Sequence, residues 1–216
     1  MNSVVLMADP RVTSIPVDDC GEPLVDVRTS DALRVDHRLS DERGDFLMLR
    51  RDVVTRLGAA AEHLPAGTHL LFVEGYRPPA LQRSYFESYS AELASARPDL
   101  PAQDVHQLAS RFVSPPEIAP HSAGAAVDLT LCSDDGVELD MGTAVNANPE
   151  VSDGACYTDS TAISPLARQH RSMLSEALLA AGLVNYPTEW WHWSYGDRYW
   201  ALTTGQPAAI YGLVTR

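Results

Sequence analysis

"PHSAGAAVDLTL", residues 120–131, carries the reading on which the rest of the chain is organised. Its second half, Ala125–Leu131, reads as an apolar strand with Asp128 placed near its head. Gly124 and its alanine neighbours leave a backbone with little side-chain bulk, as is found where a ligand must approach closely. A carboxylate inside a buried strand is costly unless it is paired or bound to a metal. Taken alone, Asp128 reads most simply as a turn cap or the partner of an arginine. His121, placed just before the tight turn, gives a second possibility, in which His and Asp converge on one point.

A second stretch changes the balance. "EWWHWSYGDRYW", residues 189–200, sets Glu189 three residues before His192 among four tryptophans and two tyrosines. The plain reading is an aromatic core strand with a hydrogen-bonded histidine. Two histidines and one carboxylate, however, form an established catalytic zinc set that keeps a fourth position for water. His121, Asp128 and His192 fill that set, and Glu189 is the carboxylate kept off the metal as general base and acid. Aromatic walls would exclude water and strengthen the local electrostatics.

A third stretch, "VEGYRPPALQ" (73–82), brings Arg77 out at the end of a buried strand just before a proline-started helix. Such an arginine is usually a surface residue. Beside a metal it could instead stabilise the oxyanion that forms when water attacks a carbonyl.

Working outward, residues 1–30 form an irregular lead-in rich in Pro, Asp and Gly. Apolar spacing predicts a helix from Phe46 to about Leu64, a strand over 68–76, and helices over Ala80 to about Ser95 and Asp104 to Val113. Residues 133–164 read as a long loop, followed by a helix from Ser164-Pro165 to Gly182, a strand over 189–196 and an irregular tail over 203–216. Helices and strands in this order predict an α+β fold rather than regular βαβ alternation. At 216 residues the chain reads as one domain, 1–216, long enough for a substantial core.

Composition excludes several classes. A net charge of −13 leaves no positive footprint for nucleic acid or an anionic membrane. All 16 basic residues are arginine, so Schiff-base lysine chemistry is absent. No Rossmann fingerprint or phosphate loop is present, and no apolar run reaches the ~18 residues of a membrane span. Cys20, Cys132 and Cys156 are odd in number and widely spaced. With no signal-peptide pattern at the N-terminus, they predict a reducing, cytoplasmic location.

Together the three stretches resemble the VanX-type D-alanyl-D-alanine dipeptidases. These belong to a group of zinc peptidases of cell-wall peptides that shares its fold with the hedgehog signalling domain. That group's metal pattern, Ser-x-His-x-x-Gly-x-Ala-x-Asp followed far downstream by Glu-x-x-His, is matched by His121, Gly124, Ala126, Asp128, Glu189 and His192. "DLTL" (128–131), "LDMGT" (139–143) and "EWWH" (189–192) match the dipeptidases more closely than the group at large, "GYRP" (75–78) matches the place of their catalytic arginine, and the resemblance runs in matching order over roughly residues 45–200.

The resemblance implies a small, mostly antiparallel sheet with helices packed on it and a central cleft holding one zinc ion. It implies His121, Asp128 and His192 as metal ligands, Glu189 and Arg77 as catalytic residues, and a small D-amino-acid peptide as substrate. Tyr76, Trp191 and Asn146 are then the candidate substrate contacts. Two positions depart from the pattern. The serine two places before the first metal histidine is Ala119, and the aspartate expected to hold the substrate's ammonium aligns with Asn146. Asp140, Glu138 or Glu150 could replace that aspartate. The departure leaves open a D,D-carboxypeptidase or endopeptidase acting on longer cell-wall peptides; a non-catalytic zinc-binding module is the remaining alternative. His37, His63, His69, His106 and His170 lie in no ligand-spaced pair. Cys132 shares a strand face with Asp128 but reads as a structural buried thiol.

Overall fold

The computed structural model describes residues 4–214. A short helix α1 (Pro10–Thr13) is capped by Asp9, whose carboxylate accepts from the Arg11 backbone. Strands β1 (Leu24–Asp26) and β3 (Met48–Arg50) pair antiparallel as a separate ribbon, with β2 (Leu33–Val35) between them in sequence. Helix α2 (Arg51–Ala61) leads to β4 (Thr68–Glu74). Helices α3 (Pro79–Ala96) and α4 (Ala102–Ala109) follow, then β5 (Ala126–Ser133). The chain closes with α5 (Pro165–Ala180), β6 (Val184–Asn185), β7 (His192–Ser194) and α6 (Arg198–Thr204). The fold is α+β, as predicted.

The main sheet runs in the order β2-β4-β5-β7-β6. Every neighbouring pair is antiparallel except β2 with β4. Central β5 is buried from Ala126 to Cys132. Val127, Leu129 and Leu131 on one face enter the main core, together with Phe72, Leu57, Leu174 and Trp193. The other face carries Asp128 and Thr130. Helices α3 and α4 form a smaller core of their own around Phe86, Tyr89, Val105 and Val113.

The structure departs from the sequence reading at several elements; the helix expected over Asp104–Val113, for one, spans Ala102–Ala109. The helix predicted from Phe46 begins only at Arg51. Asp41 draws the Phe46 and Asp45 amides to its carboxylate, and Met48–Arg50 is diverted into pairing with β1. The strand over 189–196 shrinks to His192–Ser194, because Glu189 lies in a turn whose amide donates to the Tyr186 carbonyl. Finally, the lead-in over 1–30 contains α1 and β1, and α6, capped by Asp197, runs into the first two residues of the expected tail.

Residues 134–164 contain no helix or strand, yet they are anchored. The buried Arg171 guanidinium, carried on α5, donates to the carbonyls of Met141 (2.8 Å), Tyr157 (2.7 Å) and Ala155 (2.9 Å). Trp190 adds a hydrogen bond from its indole to Thr143, and its amide donates to Cys156. Backbone carbonyls that a regular element would satisfy are met here by one side chain with five donors.

Candidate metal centre

Strand pairing alone brings two of the candidate ligands together. Asp128 on β5 is directly opposite His192 on β7, and on its other side it pairs with Glu74 of β4. A bulge between Phe72 and Glu74 shifts the β4 register there, so Glu74 falls beside Asp128. Bulges next to active sites commonly re-aim a side chain in this way.

His121 arrives from the short turn before β5. That turn closes at Gly124, whose φ of 65° favours glycine, and a Cβ there would lie 2.2 Å from Leu24. The His121 Nδ1 lies 2.6 Å from the Gly75 carbonyl oxygen, which accepts its proton and leaves Nε2 facing the cavity. Gly75 is itself pressed against the β3 backbone: a Cβ on it would be 2.6 Å from the Met48 oxygen.

The three ligand atoms form a tight triangle. His121 Nε2 and His192 Nδ1 are 3.1 Å apart, His192 Nδ1 and Asp128 Oδ1 3.0 Å, and His121 Nε2 and Asp128 Oδ1 3.3 Å. Such edges fit a tetrahedral ion with metal–ligand bonds of ~2.0–2.1 Å. All three residues are buried, and among the described residues no other group of three His, Cys, Asp or Glu side chains converges closely enough to hold one ion. Two imidazole nitrogens facing one carboxylate without a cation would be a poor use of lone pairs. The donor set therefore fits a divalent metal. Burial opposes ionisation of Asp128, but the two histidines outweigh it and hold the carboxyl below the usual carboxylate range.

Glu189 is buried with its Oε2 3.7 Å from His192 Nδ1. Burial, reinforced by the charge of Asp128 and opposed by Arg77, pushes its pKa well above the ordinary carboxylate value. Arg77 is buried as well and is held as a fork. Its Nε donates to Glu74 Oε1 at 2.8 Å, Nη2 donates to Glu74 Oε2, and Nη1 donates to Gln82 Oε1 at 2.9 Å. Those contacts use three of the five guanidinium N–H donors. Burial works against the Arg77 charge, and the Glu74 carboxylate outweighs it, so the guanidinium stays protonated.

One cavity of about 320 Å³ is lined by His121, Asp128, His192, Glu189, Arg77 and Glu74, with Trp191 and Asn146 also on its wall. Asn146 sits in the left-handed backbone region (φ 64°) that Asn tolerates better than most residues. Tyr76 is not brought into this cavity. Its amide donates to the Met48 carbonyl, its hydroxyl donates to the Val214 carbonyl at 2.8 Å, and it lines an adjoining cavity. The chain turns at Gly75, so the alternation that would set Tyr76 beside Glu74 breaks, and Arg77 takes that place. Glu138, Asp140 and Glu150 do not line the metal cavity either. Cys132 is buried beyond it, paired with His69 across the sheet.

Glu74 and Gln82 were absent from the sequence reading. The cost argument that singled out Asp128 applied equally to Glu74, a carboxylate ending the apolar run "LLFVE". Gln82 carried no such signal.

Comparison with known proteins identifies the family. The profile of the family Peptidase_M15, described as D-ala-D-ala dipeptidase, matches residues 22–207. A Synechocystis D-alanyl-D-alanine dipeptidase is 29% identical over 226 residues, covering 89% of this chain and 90% of that protein. A D-alanyl-D-alanine dipeptidase of Escherichia coli is 28% identical over 147 residues, covering 67% and 65% respectively. Among solved structures, that of the LdcB LD-carboxypeptidase aligns over 95% of this chain and 86% of its own at 18% identity, with a TM-score of 0.47.

Proposed function

The chain belongs to the D-Ala-D-Ala dipeptidase family of the M15 metallopeptidases, and from that premise we propose that it hydrolyses the D-Ala-D-Ala dipeptide to free D-alanine with one zinc ion per chain. The observation that carries this reading is the convergence of the His121–Asp128–His192 triangle, Glu189 and Arg77 on one cavity.

His121 Nε2, His192 Nδ1 and Asp128 Oδ1 would hold the ion. When bound, zinc would supply Lewis acidity and would lower the pKa of a coordinated water to ~7. Glu189, buried beside the ligand triangle with its Oε2 3.7 Å from His192, is suited by position to accept a proton from the attacking water. The same carboxylic acid then returns the proton to the departing amine as the C–N bond breaks. The two guanidinium N–H groups of Arg77 not used by Glu74 and Gln82 hydrogen-bond the carbonyl oxygen as it gains charge. Glu74 and Gln82 keep that fork in place. Trp191, buried at the cavity wall, excludes water from the reacting centre. A non-catalytic zinc module would need neither Glu189 nor Arg77 aimed into the cavity.

No helix among the described residues is long and apolar enough to cross a membrane. All three cysteines are free, and two of them are buried. We place the reaction in the cytoplasm on that thiol chemistry.

The direct test is chelation followed by re-addition of metal. D-alanine release from D-Ala-D-Ala is expected to stop on chelation and to return with one equivalent of zinc per chain. Turnover that persists in protein shown to be metal-free overturns the reading.

Asn146 gives a second, finer expectation. The dipeptide's ammonium would meet a neutral amide there, and a charge-assisted hydrogen bond is roughly twice as strong as a neutral one. Asn146→Asp is expected to lower KM for D-Ala-D-Ala several-fold, about 1 kcal/mol of binding, while kcat changes little. Aspartate also tolerates the positive φ, so the backbone is undisturbed. An unchanged KM would mean that Asn146 does not contact the amine.

A further inference from the structure

Tyr76 and Ser122 each stand next to a working residue of the site, Arg77 and His121, and both reach the same third partner. The Tyr76 hydroxyl donates to the Val214 carbonyl at 2.8 Å. The Val214 amide donates to the Ser122 carbonyl, also at 2.8 Å. Ser122 closes the ring, its hydroxyl donating to the Arg77 carbonyl at 2.8 Å. The Arg77 amide in turn donates to the His121 carbonyl at 3.3 Å. Tyr76 and Ser122 are both buried, so these bonds are costly to leave unmade.

The segment that carries Val214 is held along its length. Ala209 and Ile210 accept from the Asp18 and Cys20 amides, and the Gly212 carbonyl accepts from Arg50 Nη2 at 2.9 Å. The same buried Arg50 donates from Nε to the Ala123 carbonyl (2.8 Å) and from its amide to the Gly124 carbonyl (2.9 Å). Residues 209–214 therefore form a strap fastened to both turns, 75–77 and 121–124. None of them lines the metal cavity. Leu213 is exposed, and at Gly212 and Val214 it is the main chain that binds, so the strap works through its backbone.

Two kinds of restraint then act on Arg77. Glu74 and Gln82 fix the plane of its guanidinium, whereas the strap fixes the main chain from which it projects. Sliding one turn against the other would break a bond at Val214. Stabilising a developing oxyanion depends on where the donor lies relative to the metal, and a displacement of ~1 Å can cost ~10²-fold in rate.

We propose that the strap sets the spacing between Arg77 and the metal ligand His121, and that Tyr76 and Ser122 are positioning residues acting through Val214. This rests on the proposed zinc-dependent reaction and gives Tyr76 a part in it without substrate contact.

Two variants test it. Tyr76→Phe removes one hydroxyl and keeps the ring; Ser122→Ala breaks the same cycle at a different bond. With zinc-loaded protein and D-Ala-D-Ala, each is expected to lower kcat about tenfold, while KM and zinc stoichiometry hold. The double variant should lose little more than either single one, because both act on one closed ring. In an Arg77→Lys background, Tyr76→Phe should cost less than about twofold, since the guanidinium it places is already gone. A phosphinate analogue of the dipeptide, whose charged tetrahedral oxygens resemble the attacked carbonyl, gives a readout independent of turnover. By calorimetry it should bind Tyr76→Phe about tenfold more weakly than the unaltered protein. Thermal melting confirms that folded proteins are compared, and Ser122→Ala carries the comparison should Tyr76→Phe not fold. Full kcat in the folded variants overturns the proposal. So does an equal loss in the Arg77→Lys background, which would make Tyr76 a general support of the fold. Failure of the unaltered protein to hydrolyse D-Ala-D-Ala is a different result: it overturns the dipeptidase reading, and the role of the strap with it.

Discussion

Glu189→Gln is expected to leave the metal site loaded and to lower kcat by ~10²–10⁴-fold, the usual contribution of a positioned general base. The substitution is close to isosteric, and it removes a carboxylate that sits outside the ligand triangle, 3.7 Å from His192. What is lost is the capacity to take a proton and return it. Zinc stoichiometry measured beside the rate separates this outcome from simple metal loss. Burial raises the Glu189 pKa, so the neutral amide is not expected to unfold the protein and could even stabilise it slightly. A variant that retains most of its turnover would falsify the assignment of Glu189 as the proton carrier.

The second large effect is expected at Arg77. Arg77→Lys preserves the charge but not the fork. An ammonium on a shorter stem cannot bind both Glu74 oxygens and Gln82 while still presenting two donors to the cavity. Loss of a donor aimed at a developing oxyanion costs ~10²–10³-fold in kcat, with KM changing much less. Thermal melting should also show a lower Tm, because Glu74 is left buried with a poorer partner. A drop confined to KM would place Arg77 in ground-state binding only.

These two residues differ in how much of their setting could be read beforehand. Glu189 and His192 belong to one four-residue motif, and His121 and Asp128 to one turn and strand, so local spacing carried them. Their meeting depends on the pairing of β5 with β7, which places Asp128 opposite His192. Arg77 was legible as a candidate, but its holders were not. Glu74 reaches it only because a bulge shifts the β4 register, and Gln82 only because α3 starts at Pro79. Tyr76 was expected in the same site and instead binds Val214, since alternation ends where the chain turns at Gly75. Strand β2, three residues long and parallel to β4, carried no pattern of its own. The Phe46 helix was misplaced for a related reason: apolar spacing ran on through a segment that Asp41 and β1 hold in other conformations.

The contact that orients His121 has a consequence for how this site can change. Its acceptor is the main-chain oxygen of Gly75, and a main-chain oxygen is specified by no codon. In many metal sites the partner of a ligand histidine is a carboxylate, and exchanging that carboxylate retunes the ligand. Here no single-residue exchange can delete the acceptor, and the glycine that carries it has no room for a side chain beside Met48. Random mutagenesis of this protein should therefore recover tuning variants around Arg77 and Glu189, while His121 keeps one tautomer and one orientation in every folded descendant.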